Sequence, residues 1–194
     1  MKKILIIDTK AGNLFSLKAA IERLDFLPMV LDRPDEEYFD AIVIPGQGRF
    51  GTLMKSIRVN KWDKYLLKAK ENNIPILGIC VGMQIFFESS EEDPDVKGLA
   101  WFKGKVQALN FPKKPMVGWA TLHSKIWPSK SVYFVNSYAI KKSKISIATT
   151  NYGEEFCAAV RHGSFTGVQF HPEKSSQVGS RIIEQALTDF GVDE

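Results

Sequence analysis

The chain predicts an α/β protein built on a doubly wound, mostly parallel sheet flanked by helices. Three observations carry that expectation. Short apolar runs of strand length recur at 3–8, 28–31, 41–44 and 75–79. Apolar residues also fall at helical spacing between runs, as at Leu14, Leu17, Ile21 and Leu24, and the alternation argues for parallel strands with helices on both faces of the sheet. Two runs open directly into loops, at 45–51 and 80–84, which would then share the carboxyl edge of the sheet, where ligands bind in such folds.

Each element follows from local chemistry. Ile4-Leu5-Ile6-Ile7 reads as the first strand, because Asp8 and Lys10 end the run too soon for a signal peptide or a membrane span. After the first helix and the strand at 28–31, Ala41-Ile42-Val43-Ile44 leads into Pro45-Gly46-Gln47-Gly48-Arg49-Phe50-Gly51. Glycines at 46, 48 and 51 let backbone N–H groups point at a ligand, as an oxyanion hole requires. The same composition would also cradle a phosphate or simply turn the chain, although no Gly-Lys-Ser/Thr follows to make a nucleotide loop. Pro75-Ile76-Leu77-Gly78-Ile79 ends at Cys80, and Met83, Phe86 and Phe87 then resume a helix-like pattern. Cys80 is therefore expected on a sharp strand-to-helix turn between Gly78 and Gly82, a suitable place for a nucleophile. A buried structural thiol is the competing reading. Glu88 to Asp95 is acidic and turn-rich and reads as a solvated loop. From Phe102 to Phe170 the runs are β-rich, notably 131–138, 145–150 and 158–161. Val178, Ile182, Ala186 and Phe190 mark a closing helix.

Gly167-Val168-Gln169-Phe170-His171-Pro172-Glu173-Lys174-Ser175 supplies what a cysteine nucleophile needs. In an extended segment residues two apart face the same side, so His171 and Glu173 are expected to lie together, the carboxylate orienting and charging the ring. A cysteine, a histidine that deprotonates it and a group that holds the histidine make the arrangement of covalent acyl transfer. His123 and His162 read as bystanders.

Bulk properties bound the function without choosing it. With 194 residues, 44% of them hydrophobic, the chain has enough apolar content for one full core, and residues 1–194 read as one domain. The net charge of +4 is modest and the lysines are dispersed, so nucleic-acid binding is not inferred. Cys80, Cys157 and three scattered histidines form no metal-ligand pattern, and no cofactor is implied. A reducing, cytoplasmic location is expected, with no membrane association.

Taken together, these segments resemble the class I (triad) glutamine amidotransferases, and among them most closely the glutaminase subunits of histidine biosynthesis. The likeness runs nearly end to end, through Gly12-Asn13-Leu14, residues 45–51, Gly78 to Gln84, Val96-Lys97-Gly98-Leu99, Gly118-Trp119, residues 133–138 and Gly167 to Ser175. It implies a flavodoxin-like fold, with Cys80 as nucleophile, His171 as its base and later the acid for departing ammonia, and Glu173 as the residue fixing that histidine. By the same resemblance Gly48 and Val81 supply oxyanion donors, Gln84, Asn136, Ser137 and Tyr138 hold the glutamine, and Trp119 packs near a partner. The implied partner is a (β/α)8-barrel cyclase in a heterodimer, which suits a chain with no second domain large enough for a synthase reaction. The resemblance also implies that the oxyanion donor is misplaced until the partner docks.

One stretch departs from the family. Histidine-pathway members typically carry Pro-His-Met-Gly-Trp-Asn, whereas this chain has Pro115-Met116-Val117-Gly118-Trp119-Ala120. Because the stretch faces the acceptor enzyme in the family, a paralogous glutaminase serving a sugar-modifying synthase of surface polysaccharides is kept as the first alternative. A free-standing triad hydrolase is a second. A non-catalytic binding module is a third, disfavoured because all three triad positions are filled.

Overall fold

The computed structural model describes residues 1–10, 14–110 and 113–188. In chain order the elements are β1 (Lys3–Ile7), α1 (Phe15–Glu22), β2 (Leu27–Leu31), β3 (Ala41–Ile44), α2 (Phe50–Val59), α3 (Trp62–Glu71), β4 (Ile76–Ile79) and α4 (Val81–Gln84). There follow β5 (Ser89–Ser90), β6 (Lys105–Ala108), β7 (Met116–Thr121), β8 (His123–Ser124), β9 (Ser131–Asn136) and β10 (Tyr138–Ala139). The chain continues through β11 (Ser146–Asn151), β12 (Glu155–His162), β13 (Phe165–Val168), a 3-10 turn (Pro172–Lys174) and α5 (Ser176–Thr188).

Eight strands form the main sheet in the order β2-β1-β3-β4-β13-β12-β11-β8. The first five run parallel, and the remaining three add on antiparallel. Every residue of β3, β4 and β13 is buried, so both faces of the sheet are covered, which is why these strands read as continuous apolar runs. Helices α1 and α5 pack together, as do α2 and α3. Ile4 to Ile7 are fully buried, each side chain contributing roughly 1.5–3 kcal/mol. The chain is thus an α/β protein on a mostly parallel, helix-flanked sheet. Gly12, Asn13 and Phe190 lie outside the described residues.

Three local departures from expectation matter for the site. The helix after Cys80 is a single turn, and Met83, Ile85, Phe86 and Phe87, in it and just beyond it, are all wholly buried. The run 131–138 is broken at Ser137, where the chain leaves the β7-β9 pair and joins the small sheet β10-β6-β5. The acidic stretch is also more than a solvated loop. Glu92 Oε2 accepts from the N–H of Phe50 (2.9 Å) and Asp93 Oδ2 from that of Gly51 (2.9 Å), so its carboxylates cap the N-terminus of α2, satisfying donors that a helix start leaves unpaired. Arg49 holds the same loop through the Glu92 carbonyl (3.0 Å) and Asp93 Oδ1 (2.8 Å).

Candidate active site

The carboxyl ends of β3 and β4 meet more closely than side chains permit. A Cβ on Gly46 would lie 2.1 Å from the Ile79 carbonyl oxygen and 2.4 Å from the Val81 nitrogen. One on Gly82 would lie 2.1 Å from the Ile44 oxygen. Only glycine at both positions lets loop 45–48 rest against the turn that holds Cys80. That turn is sharp. Cys80 adopts φ 53°, ψ −114°, a conformation uncommon for a residue with a side chain, and its N–H is tied to the Val168 carbonyl at 2.7 Å. A backbone outlier at a strand end between two glycines is how a fold presents a nucleophile at the edge of its sheet.

His171 arrives from the end of β13. Its Nδ1 lies 2.9 Å from Glu173 Oε1, both side chains being buried. The pair meets by a different geometry from the one expected of an extended segment. Pro172–Lys174 form a 3-10 turn, and His171 stands just before it, so the turn rather than strand alternation folds the carboxylate back onto the ring. The His171 main chain is pinned as well. Its N–H donates to the Tyr133 carbonyl (2.8 Å), Ser175 Oγ donates to its carbonyl (2.7 Å), and that hydroxyl accepts from the Tyr133 N–H (3.0 Å). Burial by itself would favour the neutral ring, but hydrogen bonding to Cys80 and Glu173 outweighs it and raises the pKa from 6.5 to about 10. A ring held in this way is suited to take up a proton beside the sulfur.

Cys80, His171, Gly48 and Val81 line one cleft of about 350 Å³, together with Asn136 and Tyr138 from the sheet-switching bend. Gly48 there has φ 92°. Gln84 and Ser137 also line the cleft. The amide hydrogens of Gln84 are already committed, however, to the Tyr138 carbonyl (3.0 Å) and to Gln169 Oε1 (2.9 Å). Asn136 Nδ2 donates to the same carbonyl at 3.1 Å, while its Oδ1 is buried with no protein partner. Two residues not singled out from the sequence belong to this constellation. Ser175 ties down the histidine segment, and Gln169 places Nε2 3.5 Å from the Cys80 sulfur. The signal for Gln169 is a polar residue set between apolar Val168 and Phe170, where it is a wholly buried amide.

Trp119 is 54% exposed and stands edge-on to Tyr133, with ring centroids 5.8 Å apart. It shares the outer face of the β7-β9 hairpin with Val117, and Val135 on the paired strand lines the cleft. The departure from the family at 115–120 lands elsewhere than expected. Met116 is 2% exposed and pairs in register with buried Asn136, and Ala120 lies on that same inner face. The positions where the family carries histidine and asparagine thus face mostly inward here, while the outer face presents Val117 and Trp119. His123 and His162 do not line the cleft. Cys157 is buried in β12, and burial pushes its thiol pKa up. Among the described residues no group of acidic, histidine and cysteine side chains is placed to hold a metal ion, and no helix is long and apolar enough to cross a membrane.

Comparison with known proteins points the same way. The glutamine amidotransferase class-I family model matches residues 5–190. The chain is 36% identical over 193 residues to imidazole glycerol phosphate synthase subunit HisH of Thermotoga maritima, covering 95% of this chain and 96% of that one. It is 41% identical over 193 residues to the subunit of the same name from Carboxydothermus hydrogenoformans, covering 93% and 96%. Among solved structures, a glutamine amidotransferase superposes with a TM-score of 0.78 at 18% identity, covering 95% of this chain and 97% of that one. PurLQS from Thermotoga maritima superposes at 0.74, again at 18% identity, over 96% and 98%. At such identities the structural matches speak to the fold.

Proposed function

Because the chain belongs to the class I glutamine amidotransferases, we propose that it is the glutaminase subunit of an imidazole glycerol phosphate synthase, hydrolysing glutamine to glutamate and passing the ammonia to a (β/α)8-barrel cyclase in histidine biosynthesis. The observation that carries the chemistry is the meeting of Cys80 and the Glu173-bonded His171 in one cleft.

His171 takes the thiol proton of Cys80, Sγ attacks the carboxamide carbon as the thiolate, and the carbonyl oxygen takes up the C=O electron pair facing the backbone N–H groups of Gly48 and Val81. Glu173 holds Nδ1 of the ring, which leaves the other ring nitrogen for the reaction. The imidazolium gives its proton to the amide nitrogen as the C–N bond breaks, releasing ammonia and leaving a thioester on Cys80. The neutral ring then takes a proton from water, whose oxygen attacks the thioester carbon. Glutamic acid leaves and ionises, and sulfur and ring return to their starting charges.

The outer face of the β7-β9 hairpin, with Val117 and Trp119, is where the cyclase docks. This reading is favoured over service to a sugar-modifying synthase because Met116 and Ala120 depart from the family on the inner face and leave that apolar outer face in place. The test is to supply this chain with its native cyclase to a histidine auxotroph lacking its own glutaminase subunit, under ammonia limitation, and to assay glutamine hydrolysis by the chain alone and in complex. Growth, with hydrolysis raised by the cyclase, is expected. Soluble expression of both chains without growth refutes the pathway, and equal activity alone and in complex refutes partner control.

A further inference from the structure

Gln169 follows β13 directly and is wholly buried, its N–H bonded to the Ala158 carbonyl at 2.8 Å. A side-chain amide can meet a neighbour with its oxygen or its nitrogen, and here the choice is made three groups away. The Tyr138 peptide carbonyl only accepts, so Gln84 must turn its nitrogen toward it (3.0 Å). The second hydrogen on that nitrogen needs an acceptor, so Gln169 must present Oε1 to it (2.9 Å). Nε2 of Gln169 is then the end that faces the Cys80 sulfur, at 3.5 Å. The reverse orientation would set donor against donor between the two glutamines and turn an amide oxygen toward the nucleophile.

The sulfur's surroundings make this polarity consequential. Besides the His171 ring, the sulfur also faces the Val135 carbonyl oxygen at 3.7 Å, an acceptor that suits a thiol and repels a thiolate. We infer that Gln169 is a further catalytic residue, whose amide N–H, oriented by the Gln84–Tyr138 relay, stabilises negative charge on Cys80 Sγ and offsets the Val135 carbonyl. Unlike the His171 ring, this donor exchanges no proton during turnover. It therefore still faces the sulfur when the ring is neutral, and assists the sulfur as leaving group when the thioester is hydrolysed. Its part in turnover rests on the glutaminase reading, whereas its effect on the sulfur does not.

The experiment is alkylation of Cys80 by iodoacetamide in the full chain, followed by mass spectrometry from mildly acidic to alkaline pH. Gln169→Met keeps the volume and removes the donor. The alkylation rate at neutral pH should fall about tenfold, the scale of one hydrogen bond to a charged group, and recover as the pH rises. Gln84→Leu should lower the rate in the same direction without touching the sulfur, because Gln169 is then free to turn its oxygen inward. A profile unchanged in Gln169→Met, or lowered equally at every pH, overturns the inference. Should Gln169→Met not fold, the wild-type chain decides: the Gln169 side-chain N–H resonances should follow the ionisation of Cys80 and stay still in Cys80→Ala, and resonances indifferent to the sulfur overturn it. None of these measurements reads glutamine hydrolysis. A chain that alkylates as expected but fails to hydrolyse glutamine beside its cyclase refutes the functional reading alone.

Discussion

Replacing Gly46 by Ala tests whether the contact between the ends of β3 and β4 builds the site. The added methyl would sit 2.1 Å from the Ile79 oxygen, 2.2 Å from the Gly82 nitrogen and 2.4 Å from the Val81 nitrogen, all backbone atoms in the turn that carries Cys80. No side-chain rotation relieves these contacts, so loop 45–48 and the 80–82 turn must separate by about 1 Å, and a misplacement of that size costs on the order of 10²-fold in rate. Displacing an oxyanion donor costs about 10²- to 10³-fold, so turnover of glutamine by the complex should fall within that range. Overpacking of this kind should also cost about 1–3 kcal/mol of stability. Initial rates with the partner present, alongside urea denaturation, measure both effects. Gly51→Ala is the comparison, since the nearest atoms to its methyl would belong to the Asp93 side chain, at 3.0 Å, and the loss there should be much smaller. A Gly46→Ala chain with activity and stability near those of the parent would refute the claim that this close approach positions the oxyanion donors.

Four further outcomes are expected. An electrophilic glutamine analogue should label Cys80 and leave buried Cys157 unmodified, and Cys80→Ser should lower glutamine-dependent turnover by at least ~10³-fold while sparing ammonia-dependent synthesis; peptide mapping that finds the label on Cys157 contradicts this. Glu173→Gln removes a negative neighbour that helps hold the His171 pKa up to about 10, so the alkaline limit of turnover should move toward neutral pH, and a pH–rate profile with an unmoved limit would show that Glu173 does not act through the ring's charge. Trp119→Ala should weaken binding of the cyclase by roughly 2 kcal/mol or more, as titration calorimetry would register, without altering the fold of this half-exposed position. Asp93→Ala removes the cap on Gly51 and should cost about 1 kcal/mol in urea denaturation; an unchanged midpoint would show that the acidic loop does not stabilise α2.

The parallel half of the sheet was legible in the sequence, because strands buried on both faces must be continuous apolar runs, and 41–44 and 75–79 read as such. The sharp turn at Cys80 was legible for the same local reason: an apolar run, flanking glycines and an abrupt return of the helical pattern are properties of adjacent residues. What the sequence left open depends on groups far apart in the chain. The closeness of His171 and Glu173 was expected from strand alternation, but it comes from a 3-10 turn whose place is held by Tyr133 and Ser175. The acidic loop looked solvated because the helix start it caps lies some forty residues earlier. The inward face of Met116 follows from its register with Asn136 across the hairpin, which periodicity within one strand cannot supply. The direction in which the Gln169 amide points is set by the carbonyl of Tyr138, through Gln84. Sequence patterns reported which residues carry the chemistry, since a strand, a turn or a glycine loop is a local preference; the polarity and reach of the site arise where segments from β3, β4, β9 and β13 meet, and hydrogen bonds between such segments exist only once the chain is folded.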